Sequence, residues 1–138
     1  MITAYVTKKW NEEWALEPKC RQTKFWFPAR DAAKSKRLLQ LGRPSYSAVV
    51  RWITGHSFHR RHSSICQEDD EYISPTCRLC KEEDETPIHL STDCPAIAAA
   101  RSEIFMEWLP RDPFTWHPDQ LVQLMAMEAI AELEDTSE

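Results

Sequence analysis

Glycine is nearly missing from this chain, with only two among 138 residues, so flexible glycine loops are few. No apolar run approaches the roughly twenty residues that a membrane-spanning helix needs. The opening stretch, MITAYVTKKWNEEW, has no continuous apolar core after its basic residues, unlike a secretory signal. Internal repeats and low-complexity tracts are also absent. What is present is a hydrophobic fraction of 42% with six tryptophans, enough to fold rather than stay disordered. The length suits one domain, or one domain with an appended helical pair.

The five cysteines are odd in number, which argues against a full disulfide framework. Three of them fall in CRLCKEEDETPIHLSTDC, a C-x2-C-x8-H-x4-C array made of Cys77, Cys80, His89 and Cys94. Two thiolates from a tight turn, an imidazole from the beginning of a helix and a thiolate from the turn beyond it suit a soft or borderline ion such as Zn²⁺. Four protein ligands leave no open position for a catalytic water, so the expected role is structural. The competing reading is a cluster of buried free thiols beside an ordinary surface histidine. Glu82, Glu83, Asp84 and Glu85 read as a solvated acidic loop beside the ion. The loop is longer than in the compact retroviral knuckle, so single-stranded nucleic-acid binding is not inherited from that motif. A reduced, intracellular protein accounts for this cysteine usage, with nuclear and cytoplasmic residence both open; Lys34–Ser35–Lys36–Arg37 is too weak a basic motif for an import signal. A Cys20–Cys66 disulfide in an extracellular protein is the alternative.

The net charge of −5 hides a division: residues 1–65 carry thirteen basic against four acidic side chains, and the remainder four against eighteen. A basic half attracts nucleic acid even in an acidic chain, because the field near each face is local. Equally, the two halves can simply attract each other. The candidate backbone contacts are Lys19, Arg21, Lys24, Arg30, Lys34, Lys36, Arg37, Arg60 and Arg61, with Trp26, Phe25 and Phe27 able to stack on bases. The plain alternative makes those charges ordinary helix surface and sends at least two of the aromatics into the core.

Periodicity predicts an all-α fold around an irregular metal-binding segment. A first helix over residues 4–17 carries Val6, Trp10 and Trp14 on one side, and Pro18 ends it. Lys24 to Pro28 reads as extended or turn, with pairing as a strand open. Asp31 caps a helix from Lys34 to Leu41 that ends at Gly42. The next starts near Pro44 or Ser45, places Tyr46, Val49, Val50 and Ile53 on one stripe, and ends at Gly55. A short helix over Ser57 to Cys66 leads to the polar hinge 67–71. Pro95 opens a helix through Ala98, Ile104, Phe105 and Trp108, closed by Pro110 and Pro113. Asp119 precedes a final helix with Leu121, Leu124, Met125, Ala129, Ile130 and Leu133. The organisation is a basic aromatic region over 1–66, an acidic loop, metal motif and helix over 67–109, and a helical extension over 110–138, packed into the same domain.

Two further groupings carry weaker chemistry. His56, His59, His62 and Cys66 offer a second metal site, against structural hydrogen bonding by the same histidines. Trp108, Phe114, Trp116, Leu121 and Leu124 offer a protein-interaction or dimerisation surface, against sealing of the core. Catalysis finds no support: Asp69 and Asp70 sit together in an acid run without a nucleotide framework, and Cys66 has no nucleophile–base–orienter arrangement.

WNEEW at 10–14, RQTKFWFP at 21–28, ITGH at 53–56 and CRLCKEEDETPIHLSTDCPAI at 77–97 occur in an order that resembles the carboxy-terminal tail of non-LTR retrotransposon polyproteins. There, the reverse transcriptase and often a ribonuclease H domain precede this tail. The resemblance implies that Cys77, Cys80, His89 and Cys94 hold Zn²⁺ and that Gly55, His56 and His62 are structural. It also implies a module that holds element RNA or target DNA while a neighbouring polymerase acts, or a domesticated tail kept for protein binding. Phe58–His59 and the acidic stretch 67–71 depart from the common pattern.

Overall fold

The computed structural model describes residues 2–57, 59–67, 72–105 and 116–136, with side chains as far as residue 128. The described elements are helices, and extended pairing is confined to an isolated antiparallel bridge between Thr76 and Asp84. They run α1 (Ile2–Leu16), α2 (Arg21–Trp26), α3 (Ala32–Leu39), α4 (Arg43–Thr54), α5 (Arg60–Cys66), α6 (Pro87–Thr92), a 3₁₀ turn (Pro95–Ile97), α7 (Ala98–Phe105) and α8 (Pro118–Thr136).

The core gathers around α4, whose Val49, Trp52 and Ile53 are buried. Both α2 and α8 pack against it. Trp26 from α2 meets Trp116, just before α8, edge to face at 5.3 Å, and the Trp116 indole N–H donates to the Trp26 carbonyl. Residues distant in sequence therefore share one core with Leu90, Ile97, Cys77 and Cys94. The Trp52 indole donates to Ser91 Oγ at 3.0 Å, joining α4 to α6. Arg37 forks onto both carboxylate oxygens of Asp119, joining α3 to α8.

Several elements depart from the sequence expectations. The aromatic segment is helical as far as Trp26, because Cys20 turns left-handed at φ 61° and starts a helix whose indole packs into the core. Tertiary packing overrides the extended preference of consecutive aromatics. Asp31 does cap α3, accepting from the Lys34 N–H, but Gly42 stands ahead of α4 and does not end α3. The short helix expected from Ser57 begins only at Arg60. α1 forms as expected, yet none of its residues is buried; Trp10, 45% exposed, stacks on Trp14, which is anchored through its indole to the Phe27 carbonyl. Gly55 ends α4 as expected, at φ 76°, with a Cβ position only 2.8 Å from Gln22 Cγ. Glycine is required there twice, by conformation and by space.

Trp108, Pro110, Pro113 and Phe114, with the acidic run 68–71, lie outside the described residues. Trp116, Leu121 and Leu124 are within them, and all three are buried. At these three positions the side chains seal the core, the alternative to an interaction surface.

Candidate metal centre

The centre is assembled by two tight local structures. Around residues 77–80 the chain turns sharply: the Lys81 N–H returns to the Cys77 carbonyl and Lys81 adopts φ 62°. The Cys77 N–H binds the Glu83 carbonyl at 2.7 Å, and the Glu85 N–H binds the Pro75 carbonyl, closing a small loop. Then Thr86 caps α6 by accepting from the His89 N–H, with Pro87 in the first turn, where its missing N–H costs nothing. The N–H groups of Asp93 and Cys94 both return to the His89 carbonyl at 2.8 Å, which brings the fourth donor back beside the third.

Cys77 Sγ and Cys94 Sγ are 3.9 Å apart, and Cys80 Sγ is 3.3 Å from His89 Nε2. All four donor atoms lie within 4.8 Å of one another. A tetrahedral ion about 2.3 Å from sulfur and 2.0 Å from nitrogen separates two sulfurs by about 3.8 Å and a sulfur–nitrogen pair by about 3.5 Å. Cys77, Cys80, His89 and Cys94 thus form a site able to hold a metal ion. Cys77, His89 and Cys94 are buried and Cys80 is half-buried. Glu83 places Oε2 3.4 Å from His89 Nδ1, a nitrogen otherwise buried without a hydrogen-bond partner. A carboxylate in that position suits the arrangement by which a ligating imidazole is oriented from its far nitrogen.

Two of the three thiols resist ionisation without a cation. Burial pushes Cys94 up to about 12, and the charges of Cys77 and Cys80 act in the same direction. Burial also raises Cys77. At Cys80 burial acts upward but loses to the N–H groups of Glu82 and Glu83, so its thiol titrates below the ordinary value. A divalent cation supplies the charge that lets all three ionise together.

Two charged residues, Glu85 and Arg101, underpin the site. Glu85, read from sequence as solvated, is 1% exposed. Its carboxylate accepts from the backbone N–H groups of Arg60 and Arg78 and from the Arg78 guanidinium at 2.7 Å. Burial alone would raise its pKa, but these donors, Arg78 foremost, hold it below the usual carboxylate range. It sits at the start of α5 and ties that helix to the metal loop. Arg101, also 1% exposed, donates to the Cys94 carbonyl at 2.8 Å and to the Leu90 carbonyl at 3.4 Å.

The other histidines divide. His59 is buried against Trp52, is hydrogen-bonded to Ser57 and meets Glu128 of α8 at 3.0 Å. This buried chain fastens α8 to the α4–α5 corner. His56 and His62 meet edge to face at 5.2 Å, and Cys66 Sγ lies 3.6 Å from His62 Nε2. Among the described residues, only Cys77, Cys80, His89 and Cys94 converge as a metal-ligating group.

The expected nucleic-acid contacts fare unevenly. Trp26 is 2% exposed, so its faces are closed to bases. Lys34 is buried, 3.8 Å from Asp31 and 4.8 Å from the Trp116 ring centre, and so is not a surface cation. Arg37 is engaged by Asp119 and Arg61 by Asp84. Lys24 donates to the Glu17 carbonyl and lies over Trp14, while the Arg30 guanidinium contacts Thr7. Arg60 is half-buried at the start of α5, above Glu85. Lys19, Arg21 and Lys36 are exposed, and their side chains form no ion pair among the described residues. No helix among the described residues is long and apolar enough to cross a membrane. No protein-family model, curated protein or solved structure matches the chain.

Proposed function

We propose that the chain is a non-catalytic module in which Cys77, Cys80, His89 and Cys94 hold Zn²⁺ for structural purposes, and whose basic amino-terminal half contacts RNA or DNA backbone. The observation that carries the zinc reading is the convergence of three sulfurs and one imidazole at tetrahedral spacing. Soft and borderline donors favour Zn²⁺ over Mg²⁺ or Ca²⁺, and a filled shell suits folding rather than catalysis. Zinc, when bound, supplies only charge and cross-linking here. The chain's own residues orient the ligands: Thr86 caps the helix that carries His89, Glu83 faces its far nitrogen, and Arg101 holds the carbonyl of Cys94.

The nucleic-acid reading rests on the excess of basic residues in 1–65 and on Lys19, Arg21 and Lys36, whose charges are not spent on acidic partners. Similarity to the retrotransposon tail supports the same reading, as a module belonging to or derived from such an element. Backbone contacts of this kind position a nucleic acid without reading its sequence. The test is fluorescence anisotropy with RNA, single-stranded DNA and duplex DNA at several salt concentrations, using metal-loaded, monodisperse protein. Affinity is expected to fall steeply with salt, and changing Lys19, Arg21 and Lys36 to Glu should shallow the salt slope by about two to three. Negligible binding at low salt defeats the reading.

A protein-binding adaptor is the second reading, on a surface other than the one the sequence suggested. Exposed Ile2, Tyr5, Val6, Trp10 and Leu16 lie on α1, beside a 510 Å³ groove lined by Trp10, Trp14, Phe27 and Leu38. Exposed apolar area of this kind is what recognition surfaces use.

A further inference from the structure

Arg101 is a buried cation with no ion-pair partner among the described residues. It is 1% exposed, its guanidinium meets only two backbone carbonyls, and Nε is buried with no hydrogen-bond partner. Among the described residues no carboxylate pairs with it. Burying a guanidinium this way is costly unless a compensating charge lies near. The guanidinium reaches the Cys94 carbonyl at 2.8 Å, which places its charge beside a sulfur-bearing residue of the metal centre. A divalent ion bound by three thiolates and a neutral imidazole carries a single net negative charge. That charge too is buried, since Cys77, His89 and Cys94 are.

We propose that Arg101 is the counter-cation of the metal centre: two mutually compensating charges, neither tolerable alone in this core, are buried together when the ion binds. Arg101 is therefore a positioning residue that acts through Cys94 and sets how tightly a three-thiolate site holds its metal. The pairing also accounts for a long cationic side chain in a place where an apolar residue would pack at lower cost. Lysine and glutamine separate the two things Arg101 does. Lysine keeps the charge, while glutamine keeps an N–H donor for the Cys94 carbonyl and loses the charge.

The inference rests on the metal reading above, so wild-type protein is measured first, by competition of Co²⁺ and Zn²⁺ against a chelator of known affinity. If wild type binds no metal, that reading fails and this one with it. With wild type binding, Arg101→Gln should weaken affinity about 10- to 100-fold, the range seen when an outer-shell partner is lost. Arg101→Lys should stay within a few-fold of wild type. The sulfur-to-cobalt charge-transfer band should shift in Arg101→Gln and not in Arg101→Lys. In a Cys80→His background the centre becomes neutral, and the glutamine penalty should shrink below about threefold. A glutamine variant that remains unfolded at saturating metal, beside a lysine variant that folds and binds normally, supports the charge role. Equal losses for both variants, no loss in Arg101→Gln, or an undiminished penalty in the Cys80→His background would overturn it.

Discussion

Removing the Glu85 carboxylate should loosen the metal loop from α5 more than any surface acid in the same run. Glu85→Ala leaves the N–H groups of Arg60 and Arg78 without this acceptor and removes the carboxylate that the Arg78 guanidinium meets at 2.7 Å. Hydrogen bonds to a charged group contribute about 1.5–3 kcal/mol, and breaking a buried ion pair costs about 3–5 kcal/mol. These overlap and do not add, so the expected loss is about 3–5 kcal/mol for Ala. Gln keeps the shape and one acceptor oxygen, which reduces the loss to about 1–3 kcal/mol. Neighbouring Glu82→Ala, at an exposed position, should cost under about 0.5 kcal/mol. The pH dependence follows from the direction of the Glu85 shift. Its folded pKa lies below the usual carboxylate range, so its contribution is complete above that range and fades only as pH falls through the lower folded value. The gap between wild type and Glu85→Gln should therefore be the same at about pH 7.5 and about pH 5.5, where the carboxylate is ionised in both states. The assay is urea unfolding of zinc-loaded protein followed by circular dichroism, with the same free zinc throughout. A loss under about 1 kcal/mol for Glu85→Ala, or a gap that halves by pH 5.5, refutes the reasoning.

Three other perturbations probe separate parts of the account. Gly55→Ala should cost about 1–2 kcal/mol or more in the same assay, since the residue holds φ 76° and a Cβ would crowd Gln22. Glu128→Ala and His59→Ala should each destabilise the fold by about 2–5 kcal/mol, with hydrogen exchange rising first in α8, because each leaves a buried partner unmatched. Metal binding should release between about two and three protons at neutral pH, measured from calorimetric heats in buffers of different ionisation enthalpy. Cys94, at about 12, and Cys77, also raised, are protonated before the ion arrives, so affinity rises with pH.

The metal centre was legible because its chemistry is local. Cys77 and Cys80 share a turn, Thr86 and Pro87 start the helix that carries His89, and Cys94 follows directly, so spacing alone places the donors together. Gly55 was legible for the same reason, as a left-handed helix end that favours one residue type. What sequence could not resolve depends on distant neighbours. Glu85 is indistinguishable by composition from Glu82 and Glu83, and only the return of Arg60 and Arg78 onto it makes it core. Trp26 and Trp116 read equally as recognition aromatics or as core until their mutual packing across the chain is known. The Val6–Trp10–Trp14 stripe has the period of a core helix, yet α1 leaves it unburied. Gly42 shows how a residue between two helices can serve the second when sequence alone favours the first.

The account stands or falls on metal content. Elemental analysis of monodisperse protein, purified without chelators, should find about one zinc per chain. Stripping that ion should abolish the cooperative unfolding transition, and Cys94→Ser should do the same. A folded, cooperative chain carrying no stoichiometric zinc would contradict it.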